Sequence, residues 1–135
     1  MNIRLMHVAT GLLVLLLVGH TLGTVSTQSR GPEEAAALAA LAAVRFDVMG
    51  VTRSHADFYA GLGWSLSAAV VGFVWTSIVT TRLIRDRVGA GRVLAYGLAT
   101  ATALLSIVSW IWIFPVPAVI TMLAALCYLV VATRS

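Results

Sequence analysis

The chain has 135 residues, 60% of them hydrophobic and only 10% charged, with a mean hydropathy of +0.97. Soluble domains carry about 25% charged residues, so this composition excludes a soluble globular protein and indicates an integral membrane protein of one domain. The formal net charge is +4 and all nine basic residues are arginine. At helix ends such charges act as topology signals, and there is no basic aromatic patch for nucleic acid.

The first apolar segment, about residues 5–25, supplies the roughly 20 residues that a bilayer core requires. Arg4 and the leucine-rich run after it also resemble a signal peptide, with Val-Ser-Thr before Gln28 as a poor cleavage site; the segment is read as a retained helix. Gly19 and Gly23 form a small-xxx-small pair suited to close helix approach. After a polar loop, Gly31-Pro32-Glu33-Glu34 has the proline and first-turn acids of a helix start. Leu38, Leu41, Val44 and Val48 follow helical spacing, so a short peripheral helix is expected over about 32–48, lying at the membrane interface and ended by Gly50.

Ser54-His55-Ala56-Asp57 fits a capping box, an acid three positions after a hydroxyl. The second span follows at about 56–82, where Gly61, Ser65, Ala69, Gly72 and Thr76 form a small-residue stripe read as a bundle-facing seam. A basic, glycine-containing turn leads to the third span, about 93–114. Phe114-Pro115-Val116-Pro117 breaks the chain before the fourth span, about 117–132, because neither proline continues a helix interior. The expected fold is an all-α, integral membrane four-helix bundle with a short peripheral helix between the first and second spans. Cys127 lies in the apolar fourth span; as a single cysteine it excludes an intrachain disulfide and a CxxC motif and reads as a small hydrophobe.

Arg4, the four arginines of the Arg82–Arg92 turn and Arg134 fall on one side of this topology, against Arg30, Arg45 and Arg53 on the other. Six against three places both termini in the cytoplasm. The polar stretch 44–64 then faces outward, at the same end as Trp64, Trp110 and Trp112. His20 lies five residues before the outer end of the first span, which brings it to the depth of Asp47, Arg53, His55, Asp57 and Tyr59.

In so apolar a chain this cluster has a chemical reading. A carboxyl desolvated at the mouth of a bundle can exchange a proton near neutral pH. Two carboxyls with separated pKa values, one of them beside an arginine, make an acid and a base. Asp57 and Asp47 are the candidate acid and base, Arg53 the charge partner, His20 and Tyr59 the proton-handling or orienting groups. Trp64, Trp110, Trp112 and His55 are candidates for the substrate pocket. Each has a plainer alternative: Asp57 as the cap acid, Asp47 clasped to Arg53 or Arg45, His55 facing headgroups, His20 packed through a hydrogen bond. His7, near the inner end of its helix, reads as solvated.

No HExxH, CxxC or i, i+4 histidine pair suggests a metal, and no glycine-rich phosphate motif suggests a nucleotide, so no cofactor is expected. Zinc on His20, His55 and an aspartate, or haem between the two histidines, are the weakest readings. His7 and His20 stand about 20 Å apart on one helix and cannot share an ion. No acid falls near the middle of a span, which argues against a proton-coupled exporter.

The segments H-T-L-G-T at 20–24, R-F-D-V-M-G at 45–50 and R-S-H-A-D-F-Y-A-G-L-G at 53–63 resemble a group of small, functionally unassigned bacterial membrane proteins. That resemblance implies a recurring architecture in a bacterial inner membrane and no particular activity. In size and helix count the chain is also similar to the sterol-isomerase and emopamil-binding type, which holds lipophilic ligands in a bundle cavity; no site residue carries over from it. Two functions are therefore expected. One is an enzyme acting on a lipophilic small molecule by isomerisation, cyclisation or epoxide opening. The other is a non-catalytic protein that binds lipid or assembles with a partner, its glycine seams allowing a homo-oligomer.

Overall fold

The computed structural model describes residues 2–26 and 29–134, so the cleavage-like junction at Thr27 and Gln28 lies outside the described residues. The elements run α1 (Asn2–Val25), α2 (Pro32–Ala43), β1 (Arg45–Val48), β2 (Val51–Ser54), α3 (His55–Arg85), α4 (Ala90–Trp112) and α5 (Pro115–Arg134). Four of these, α1, α3, α4 and α5, are long and apolar enough to cross a membrane. The shortest, α5, has 20 residues, which at 1.5 Å per residue matches the roughly 30 Å hydrocarbon core. The fold is an all-α membrane bundle with a short helix between the first and second spans, and the protein is an integral membrane protein.

Contacts divide the chain into two compact units, one comprising α1 as far as Val18 together with everything from Ala69 onward, the other Gly19–Ala68. The first unit is the bundle. Its closest seam joins α4 and α5, where Ala95, Leu98, Ala99, Thr102 and Ser106 are buried on one helix and Ala118, Thr121, Ala124, Ala125 and Tyr128 on the other. Small residues at helical spacing let two backbones approach in a solvent that offers no hydrophobic drive for it. Ser106 Oγ crosses this seam to donate to the Ala118 carbonyl at 2.7 Å. On α1 the buried residues are Met6, Ala9, Leu13 and Leu16, a three-four repeat along one face.

The stripe that α3 buries differs from the expected one. Ser67, Val70, Ser77 and Thr80 are buried, whereas a Cβ built on Gly61 or Gly72 would meet nothing within 4 Å. Gly19 and Gly23 on α1 are equally open. The buried face was hidden from the pattern because its marker residues are hydroxyls, and Ser67 and Ser77 find their partners only on other helices.

Tyr128 is the largest fully buried side chain. Its hydroxyl donates to Ser77 Oγ at 2.8 Å, Ser77 Oγ lies 2.6 Å from Thr10 Oγ1, and Thr10 Oγ1 donates to the Met6 carbonyl at 2.8 Å. A hydroxyl has one proton to give. With that of Thr10 directed at Met6, Ser77 must donate to Thr10, so the chain runs from α5 through α3 to α1 in one direction.

The turn after α3 is closed by backbone alone. Val88 N–H bonds to the Leu83 carbonyl at 2.8 Å and Arg87 N–H to the Ile84 carbonyl at 3.1 Å, while Arg87 takes a φ of 57°. This is the Schellman arrangement, with arginine where glycine is usual. Gly91 follows where only glycine fits, since a Cβ there would lie 2.9 Å from the Ile84 backbone nitrogen.

The direction of the hydroxyl chain makes its members unequal. Tyr128→Phe removes a donor and leaves Ser77 paired with Thr10, at an expected cost of about 1 kcal/mol or less. Ser77→Ala takes away the acceptor to which a buried phenol donates, for an expected cost of about 1–3 kcal/mol. Thermal unfolding of the two variants in one detergent should rank S77A below Y128F; the reverse order would show that the chain runs the other way.

Candidate functional site

The polar stretch lies in the second unit. The expected helix to about Val48 stops at Ala43, and residues 45–54 form an antiparallel hairpin with Arg45↔Ser54, Phe46↔Arg53, Asp47↔Thr52 and Val48↔Val51 in register. The alternation of R-F-D-V with V-T-R-S makes the reason visible. Side chains alternate faces along a strand, so Phe46, Val48, Val51 and Arg53 share one face and Arg45, Asp47, Thr52 and Ser54 the other. The two-residue turn between the strands has Met49 at φ 51° and Gly50 at φ 80°, positive at both central positions as a type I′ turn requires. Asn-Gly or Asp-Gly would have announced it; Met-Gly does not.

A lone hairpin is marginal in water without a surface to pack on. Phe46 provides the attachment, edge-on to the His55 ring at 5.0 Å and to Phe58 at 6.1 Å between centroids. His55 N–H extends the ladder to the Val44 carbonyl at 3.1 Å, and its Nδ1 lies 3.3 Å from the same oxygen.

Strand β2 passes into α3 through the capping box anticipated from the sequence. Asp57 N–H donates to Ser54 Oγ at 3.1 Å, and Ser54 N–H donates back to Asp57 Oδ2 at 2.9 Å. Directly beyond this joint lies an open-sided groove of about 300 Å³, lined by Arg53, Asp57, Phe58, Gly61, Leu62 and Ser65. Arg53 and Asp57 form its charged end, Phe58 and Leu62 its apolar wall, Gly61 and Ser65 the room between. Among the described residues Arg53 is not ion-paired; Nη1 donates to the Thr52 carbonyl at 3.2 Å.

The other sequence-derived candidates fall elsewhere. Asp47 accepts a hydrogen bond from the Thr52 hydroxyl across the hairpin, and it is joined by hydrogen bond or ion pair to neither Asp57 nor Arg53. His20 Nε2 lies 2.9 Å from the Gly63 carbonyl, an oxygen that can only accept, so Nε2 carries the proton. Thr21 Oγ1 and Ser67 Oγ are 3.1 Å apart, and a Cβ on Gly63 would come within 3.0 Å of the Thr24 methyl. These residues stitch the C-terminal end of α1 to the start of α3. The close approach is through Gly63, a position the sequence pattern did not distinguish. Tyr59 is 74% exposed, and Trp64, Trp110 and Trp112 are exposed as well. Neither Tyr59 nor Trp64 lines the groove. Of the nine candidates, then, Arg53 and Asp57 meet in one concavity. Among the described residues no group of three His, Cys, Asp or Glu side chains converges as metal ligands do.

No protein-family model, curated protein or solved structure matches the chain.

Because Gly50 is surrounded by open space, its substitution tests backbone geometry alone. Gly50→Ala should destabilise the hairpin by about 1–2 kcal/mol, the cost of a Cβ in the left-handed region, and Met49→Asn should partly restore it. Amide exchange at Val48 and Val51 would report both changes.

Proposed function

We propose that this chain is a non-catalytic membrane protein that binds an amphiphilic lipid or lipophile in the Arg53–Ser65 groove. The observation that carries this reading is the groove's composition, an arginine that forms no ion pair among the described residues at one end of an exposed apolar helix face. Arginine matches phosphate and carboxylate geometry, and Phe58 and Leu62 suit the hydrocarbon beside such a headgroup. The same reading places the chain in a bacterial inner membrane with both termini cytoplasmic. The orientation is supported by the charge asymmetry of six arginines, at span ends and in the turn between α3 and α4, against three, before α2 and on the hairpin.

Acid–base catalysis is the second reading, favoured by the presence of Asp57 and Arg53 in one groove. Desolvation is what readies a carboxyl for proton transfer near neutral pH, and Asp47 and Asp57 are both exposed. Asp57 is engaged as a helix cap and Asp47 as a cross-strand acceptor. Both roles account for the aspartates without a reaction.

Gly61→Leu is the informative variant. Nothing lies within 4 Å of its Cβ and leucine outranks glycine in a helix, so the protein should fold at least as well while the groove is filled. Mass spectrometry of co-purified lipophiles should show at least a tenfold loss of the bound species relative to wild type. Unchanged co-purification would overturn the proposal, and a change in oligomeric mass in its place would assign this face to self-association. Turnover of a bound lipophile that stops in Asp57→Asn would move the assignment to the enzyme reading.

A further inference from the structure

The charged end of the groove holds one cation and one anion that are not paired with each other. Arg53 has five N–H donors in a rigid fork, of which one meets the Thr52 carbonyl. Asp57 accepts the Ser54 amide at Oδ2, and Oδ1 makes no hydrogen bond among the described residues. Two opposite charges side by side in a concavity would ordinarily close on each other. Here each has a backbone partner on its own element, Arg53 on the strand and Asp57 at the cap, and Asp57 feels the charge of Arg45 as well as that of Arg53.

Resting on the lipid-binding reading above, we propose that the groove recognises the zwitterionic headgroup of an amine-bearing phospholipid, phosphate on Arg53 and ammonium on Asp57. A phosphatidylglycerol headgroup would satisfy Arg53 with its phosphate but offers Asp57 only neutral hydroxyls and no positive charge. A quaternary choline would place a cation near Asp57 but has no N–H to donate to its open oxygen, whereas a primary ammonium has three. The volume of about 300 Å³ stands at the lower limit of small-molecule sites. It accommodates a headgroup and the start of one chain over Phe58 and Leu62, the rest remaining in the bilayer. The arrangement is a charge match of opposite signs in fixed order, which confers selectivity more than affinity.

The test uses the full chain in detergent, with phosphatidylethanolamine, phosphatidylcholine and phosphatidylglycerol of identical acyl chains, bound lipid being counted by native mass spectrometry. Phosphatidylethanolamine should be retained at least fivefold over either competitor. Arg53→Gln should lower retention of all three, while Asp57→Asn should lower ethanolamine retention most and abolish the preference for ethanolamine over choline. Because Asp57→Asn also touches the cap, helicity is checked by circular dichroism, and Arg53→Gln, outside the cap, supplies an independent arm. Equal retention of the three lipids, or an ethanolamine preference that survives both variants, would overturn the headgroup assignment while leaving lipid binding in place. No retained lipid at all would remove both.

Discussion

The reciprocal hydrogen bonds between Ser54 and Asp57 are the joint on which the hairpin and the start of α3 depend. They satisfy backbone donors at the start of α3, where four N–H groups have no intrahelical partner, and so let a helix begin at once where a strand ends. No loop intervenes. The orientation of the hairpin relative to the first turns of α3 is therefore fixed by two bonds and by the packing of Phe46 on His55 and Phe58. Arg53, the residue just before the cap, thereby comes to line the same groove as Asp57.

The bundle obeys a related constraint by different means. Hydrocarbon leaves no unpaired polar group unpunished, and among the described residues no buried side-chain nitrogen or oxygen lacks a partner. Threonines on α3, α4 and α5 return their hydroxyls to carbonyls one turn back. Ser77, Ser106 and Tyr128 instead reach across to another helix. The first group makes polar residues harmless within a span; the second turns them into contacts that specify which helices are neighbours.

This division explains what could be read from the residues and what could not. Span positions follow from runs of about 20 apolar residues, and the cap at Ser54 from a short-range pattern whose partners lie three residues apart. The hairpin escaped because Met49 occupies a left-handed position usually marked by asparagine or aspartate, and because Leu38, Leu41, Val44 and Val48 continue a helical spacing by coincidence. The packing face of α3 escaped for another reason. Glycine and alanine advertise close approach, but whether a serine faces lipid or a tyrosine 51 positions away is decided by a helix that is distant in sequence. At the candidate site Arg53 and Asp57 share a groove because they flank one joint; His20 meets Gly63 instead, since its depth in the membrane said nothing about which atom it would find.

The one-way hydroxyl chain also bears on how the protein is made. Thr10 is satisfied within its own helix by Met6, so α1 can enter a bilayer alone without exposing a hydroxyl proton to lipid. The Tyr128 hydroxyl donates to Ser77, a residue on a helix synthesised earlier. Of these spans α5 is thus the one whose buried hydroxyl requires an earlier helix to be in place, whereas α1 carries its own partner.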